Sequence, residues 1–175
     1  LDTAKRRIRN AGGRNRFSAV IVEPIQGRGG EIVPPPGWLA GLAEFCRLEN
    51  LPLIADEIYT GFARTGRMFA CDHESVVPDL MCLGKGLSGG FPMSACVGSA
   101  GLMRRWGKST GEAIHTSTFL GNPLGCAAGL AAISVYKTGG PAKDAAAAGT
   151  YFLAQLARRI EKFRVVGDIR GRGLM

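Results

Sequence analysis

Leu53-Ile-Ala-Asp-Glu-Ile-Tyr-Thr-Gly-Phe-Ala-Arg-Thr-Gly66, followed by Pro78-Asp-Leu-Met-Cys-Leu-Gly-Lys-Gly-Leu-Ser-Gly-Gly90, carries the reading of this chain. In each stretch a short apolar run stops at polar groups. Leu51 to Ala55 ends at Asp56-Glu57, and Leu80 to Leu83 ends at Gly84-Lys85. Runs of this length, bounded by turn residues, predict buried strands. Upstream, Phe17 to Val22 is apolar and β-branched and ends at Glu23-Pro24, so it predicts a strand buried on both faces. After the stop at Pro34-Pro35-Pro36, Trp38, Leu42, Phe45 and Cys46 recur on one helical face.

Working outward, Ser94 to Val97 follows Leu83 through a short Gly-Gly-Phe-Pro connection. No crossover helix fits there, so this strand is expected to run antiparallel. Asn122-Pro123 reads as a helix start, with Asn as N-cap and Pro in the first turn, and the helix is expected to continue to about Tyr136. Another helix is expected after Pro141, with Phe152, Leu156, Ile160 and Phe163 as its apolar stripe.

If the first three strands are parallel, Glu23, Asp56 and Lys85 all emerge at the carboxyl edge of the sheet, where open α/β sheets bind ligands. Each alone is equally a strand end meeting water, or one half of a structural ion pair. Three together shift the reading toward a site. A lysine amine condenses with an aldehyde when part of it is unprotonated, which desolvation and nearby positive charge promote. A buried carboxylate keeps the ring nitrogen of pyridoxal phosphate protonated, so that the ring serves as an electron sink. Lys85 suits the aldehyde and Asp56 the ring nitrogen.

Bulk properties narrow the class. The chain has 175 residues, enough for one sizeable core, with 46% hydrophobic and 21% charged residues. Its net charge is +8, much of it in Lys5, Arg6, Arg7, Arg9, Arg14 and Arg16, where only Phe17 is an aromatic neighbour. This reads as a solvated helix end before a Gly-Gly loop and not as a nucleic-acid face. The five cysteines, at 46, 71, 82, 96 and 126, form no C-x-x-C pair, and Cys82, Cys96 and Cys126 are expected to be reduced core thiols. With two histidines a zinc site is not expected, and no run approaches membrane-spanning length. The expected setting is cytoplasmic. Leu1 is not an initiator methionine, and the chain stops at Arg170-Gly-Arg-Gly-Leu-Met175 as an apolar segment begins, so a fragment is expected.

The two opening stretches together resemble the signature of the class III aminotransferases, the ornithine, acetylornithine, 4-aminobutyrate and ω-amino acid enzymes of fold type I. Ile21-Val-Glu-Pro-Ile-Gln-Gly27 resembles their glutamate-proline strand end, and His115-Thr-Ser-Thr-Phe-Leu-Gly-Asn-Pro-Leu124 their threonine loop. The ending resembles the Arg-Gly-x-Gly-Leu lead-in to their small domain.

This resemblance implies an α/β fold, part of the fold type I large domain, with a mostly parallel sheet, one antiparallel strand and flanking helices. Residues 1–140 would belong to the large, pyridoxal-phosphate-binding domain, and 141–175 to a connecting helix and the start of the C-terminal small domain. Lys85 would form the Schiff base and shuttle protons between Cα and C4′. Asp56 would pair with the pyridinium nitrogen, and Ile58 would pack on one ring face. Thr118 would bind the cofactor phosphate in the neighbouring subunit's site, implying a homodimer with shared active sites. Glu23 would stand behind the contacting residues.

Two positions depart from the pattern. Tyr59 stands where many members carry a glutamine against the cofactor's 3′-oxygen, and Arg28 where several ω-amino enzymes carry a glutamate that pairs with a small-domain arginine. The activity implied is transfer of an amino group from an amino acid or ω-amine to a 2-oxo acid, with the fragment inactive alone. An aminomutase, racemase or decarboxylase would share these motifs, and a non-catalytic truncated piece is the alternative of another class. A phosphate loop fails because Gly86 follows the lysine, and Gly27-x-Gly29-Gly30 lacks the helix a dinucleotide fold needs.

Overall fold

A computed structural model of the chain describes residues 1–112 and 115–175. Strands β1 (Val20–Val22), β2 (Leu53–Asp56), β3 (Leu80–Leu83) and β4 (Ala95–Gly98) form one sheet in that spatial order. The first three are parallel, and β4 runs antiparallel to β3. The expected α/β class and the expected antiparallel strand both form. Around the sheet lie helices α1 (Asp2–Asn10), α2 (Trp38–Leu48), α3 (Ala100–Met103), α4 (Pro123–Lys137) and α5 (Gly140–Ile160).

Strand alternation gives the sheet two unlike faces. On one, Val20, Val22, Leu53 and Ala55 meet Leu39, Leu42, Phe45 and Cys46 of α2. Farther along that face Met81, Leu83 and Ala95 meet Ile133 and Tyr136 of α4, together with Phe62 and Leu87. The other face carries Ile21, Ile54 and Leu80 in one cross-strand row, and Asp56, Cys82 and Cys96 in the next. Among the described residues neither core cluster reaches this second face.

That asymmetry corrects three sequence expectations. β1 is not buried on both faces: it is three residues long, and Ile21 is 63% exposed on the uncovered side. Cys82, Cys96 and Cys126 are not core thiols. Cys96 is exposed and the other two half-buried, whereas Cys46 and Cys71 are the buried pair. The stripe on α5 also differs, since Phe152 and Phe163 are exposed and Ala145 and Gly149 are buried instead. The cause is close backbone approach. A Cβ at Gly149 would collide with the Gly173 carbonyl, and one at Gly173 would collide with the backbone of Arg64 and Thr65. Small residues therefore form the contact, and large ones turn outward.

Helix α4 starts as expected. The Asn122 Oδ1 accepts from the Leu124 and Gly125 amides at 3.0 and 3.2 Å, with Pro123 in the first turn. At its far end the Tyr136 hydroxyl donates to the Gly86 carbonyl at 2.9 Å, tying α4 to the segment just after Lys85. The basic α1 has no buried residue, and Arg9 pairs with Glu49 at 2.6 Å, as a solvated helix does.

Candidate active site

Because β1, β2 and β3 are parallel, Glu23, Asp56 and Lys85 all follow or end strands at the same sheet edge. Asp56 is the last residue of β2, half-buried on the uncovered face, and its Oδ1 accepts the Ile58 amide at 3.1 Å. That bond turns the chain so that Ile58 and Tyr59 stay beside the edge. The Ile58 side chain packs on Gly84, where an added Cβ would lie 3.4 Å from Ile58 Cγ2. Lys85 comes next, with a left-handed φ of 44°, a conformation that costs a non-glycine residue energy and recurs at functional sites. Its Nζ lies 3.2 Å from the centroid of the Tyr59 ring, and it forms no ion pair among the described residues.

Glu23 serves the neighbouring turn. Its Oε2 accepts the Gly27 amide at 2.8 Å. A Cβ at Gly27 would lie 3.5 Å from Glu23 Oε2, Tyr59 Cδ2 and Met175 Cε alike, so these three side chains converge on one glycine. Arg28 follows on the exposed loop. A cavity of about 370 Å³ opens between Lys85, Tyr59, Phe62, Arg64, Glu31 and Met175. Thr118 is exposed in a turn and does not line it. A larger cavity, about 1020 Å³, lies at the opposite edge around Arg47, Asn50, Glu74 and Asp79, away from Lys85, whereas Asp56, Ile58, Glu23 and Arg28 line neither cavity. Ligands of open α/β sheets sit at carboxyl ends, so the smaller cavity is the candidate site.

Three participants escaped sequence reading. Glu57 is 0% exposed and anchors the loop behind the site. Its carboxylate accepts the Thr60 hydroxyl and the Ala70 and Cys71 amides, the last two at 3.0 and 2.8 Å. Alternation after Asp56 was the available signal: one acid stays on the open face and the next faces inward. Glu31 and Arg64 also line the cavity; Arg64 falls within the Leu53–Gly66 stretch without a role being legible there, and no local pattern marks Glu31.

Burial biases the nearby thiols and imidazole toward their uncharged forms. Burial, then Cys96 and the Asp56 carboxylate, push the Cys82 thiol up. Burial and then Glu57 push Cys71 far up. His73 is held below the ordinary imidazole range by burial first and then by Arg172, despite its Nε2 contact of 3.1 Å with the Thr65 carbonyl. No cluster of three or more His, Cys, Asp or Glu that could hold a metal occurs among the described residues. No helix among them is long and apolar enough to cross a membrane.

The model of the family "Aminotransferase class-III" matches residues 3–175. The chain belongs to the class-III aminotransferases. It is 45% identical over 167 residues to a 4-aminobutyrate aminotransferase of Mycobacterium leprae, covering 93% of this chain and 36% of that protein. An ornithine aminotransferase of Oceanobacillus iheyensis is 44% identical over 158 residues, covering 90% of this chain and 38% of that protein. The solved ornithine aminotransferase of Toxoplasma gondii superposes with a TM-score of 0.87 at 43% identity, covering 97% of this chain and 38% of that one. The chain thus spans well under half the length of the curated relatives it matches.

Class-III aminotransferases depend on pyridoxal phosphate, and the Toxoplasma gondii structure is described as having partial occupancy of that cofactor at its active site. The residues present in this class-III chain fit the group. Lys85 offers an amine with no acidic partner among the described residues, Asp56 a half-buried carboxylate at the same edge, and Ile58 an apolar wall beside Gly84.

Proposed function

We propose that the whole protein is an aminotransferase that moves an amino group from an amino acid or ω-amine to a 2-oxo acid with pyridoxal phosphate. The observation that carries this reading is the parallel order of β1, β2 and β3, which delivers Asp56 and Lys85 to one edge beside an exposed tyrosine ring. When bound, the cofactor supplies an electron sink. Lys85 would hold it through its amine and serve as the proton carrier at substrate Cα. Asp56 would hold the proton on the ring nitrogen. Ile58 would wall one ring face, and the Tyr59 hydroxyl would be the donor for the ring oxygen. Glu23 supports them indirectly by fixing the Gly27 amide.

Several wider features belong to the same proposal. Thr118 holds the cofactor phosphate of a neighbouring subunit, so the protein is a homodimer with shared sites, working in the cytoplasm. Its exposure and its absence from the lining of the Lys85 cavity support that reading. Residues 1–140 are part of the large domain, and 141–175 lead into the small domain.

The test is borohydride reduction of the whole protein loaded with cofactor. The label is expected on the peptide containing Lys85 and is expected to vanish in Lys85→Ala. Label on another lysine would sink the assignment. Appearance of an amino acid from added oxo acid separates transfer from racemisation or decarboxylation.

We also assign Arg28 to a substrate carboxylate, because its loop adjoins the cavity and a guanidinium fork makes two parallel hydrogen bonds that lysine cannot copy. Arg28→Lys is expected to cut catalytic efficiency for 2-oxoglutarate by about tenfold more than for pyruvate. Equal losses would return Arg28 to the surface.

A further inference from the structure

The loop that adjoins the lysine cavity is held from the far end of the chain. Gln26 and Ile32 exchange both backbone hydrogen bonds, at 3.1 and 2.9 Å, and close a five-residue loop from Gly27 to Glu31. Inside it the amides of Gly30 and Glu31 both donate to the Gly27 carbonyl at 3.0 Å. Gly30 and Glu31 have φ of 112° and 50°. Glycine adopts such values freely, but at Glu31 the conformation is strained and persists only with outside support.

Arg170 supplies that support. Its Nε donates to the Glu31 carbonyl at 3.0 Å, and a terminal nitrogen donates to the Gly30 carbonyl at 2.7 Å. The other terminal nitrogen binds Asp168, which orients the fork. A planar guanidinium satisfies two consecutive carbonyls and an acid at once, which an ammonium on a flexible stem does not.

The gripped loop borders the site. Glu31 lines the cavity of Lys85 and Tyr59, and Gly27 sits beneath Tyr59. The segment after Arg170 reaches the same place, since the Leu174 amide donates to the Arg64 carbonyl at 2.9 Å and Met175 lines the cavity. We propose that Arg170 is a positioning residue for substrate selection, fixing the loop that carries Arg28 and Glu31 over the Lys85 cavity. This rests on the aminotransferase reading. It makes substrate choice depend on residues 168–175.

The experiment uses the whole protein as Arg170→Lys and Arg170→Ala, with two readouts. Amide hydrogen exchange at residues 27–32 reports the clamp itself. Steady-state kinetics with 2-oxoglutarate and pyruvate, using 4-aminobutyrate or ornithine as donor, reports selection. Both variants are expected to speed exchange at Glu31 and Ile32 by about tenfold and leave the core strands unchanged. The KM for 2-oxoglutarate is expected to rise about tenfold while kcat changes less than about twofold, and cofactor capture by Lys85 is unchanged. A merely structural role would move stability and kcat without that split.

If Arg170→Ala does not accumulate folded, Arg170→Lys decides. Unchanged exchange at 27–32, or faster exchange with no KM change, overturns the proposal. Failure of the wild type to trap cofactor on Lys85 defeats the aminotransferase reading, and exchange at 27–32 still judges the clamp.

Discussion

The two faces of the sheet are made by the same strands and meet opposite fates. On the covered face Leu53 and Ala55 disappear beneath α2. On the other face Ile54 and Asp56, their immediate neighbours in sequence, stay partly exposed. Asp56 and Glu57 sharpen the contrast. The first ends on the uncovered face with one backbone donor. The second turns inward and binds three protein donors. Two adjacent acids thus part: one stays half-buried on the open face and the other becomes an anchor.

The strongest way to break that comparison is to exchange the roles of the two acids. Asp56→Asn in the whole protein is expected to keep cofactor bound and lower turnover by about 10²–10⁴-fold, because a lost charge partner is worth several kcal/mol. Stability should barely change. Glu57→Ala is expected to destabilise by about 3–5 kcal/mol, since two buried amides and a hydroxyl lose their acceptor. Denaturant melts and turnover per folded molecule separate the two. Near-normal turnover in Asp56→Asn would reject its role.

A second comparison sets the faces against each other directly. Phe45→Ala, beneath the covered face, is expected to cost about 3–5 kcal/mol through a core cavity. Ile21→Ala, on the open face of β1, is expected to cost under about 1 kcal/mol. Comparable losses would show that another part of the whole protein covers Ile21.

The smallest effect is a pH slope. His73 is half-buried beside Thr65, and its folded pKa is depressed by burial and by Arg172. Above the unfolded value, about 6.5, both states are neutral there and the full stability is present. As pH falls, the unfolded chain takes up a proton first, so stability declines through the folded pKa. Between pH 7 and 5 the wild type is expected to lose more Tm than His73→Gln. A parallel decline in both proteins would remove His73 from the balance.

Much of this was legible locally. Apolar runs ending at Glu23, Asp56 and Gly84 are set by composition over a few residues, and so is the Asn122-Pro123 helix start, where a side-chain oxygen caps amides two and three residues away. Gly-Gly-Phe-Pro left no length for a crossover, so the antiparallel β4 followed from chain reach alone.

What stayed hidden depends on contacts between segments distant in sequence. The exposure of Ile21, Phe152 and Cys96 reflects which faces meet partners, and an apolar residue looks the same in either case. Arg170 shows this most clearly. In sequence it opens the Arg-Gly-x-Gly-Leu ending, but nothing there names its partners, and the carbonyls it grips lie 139 and 140 residues away. Short-range chemistry is encoded where it acts, so the sequence alone determined the strands, the cap and the lysine that follows a strand. Backbone carbonyls carry no residue identity, so only the tertiary structure could decide which arginine would find them.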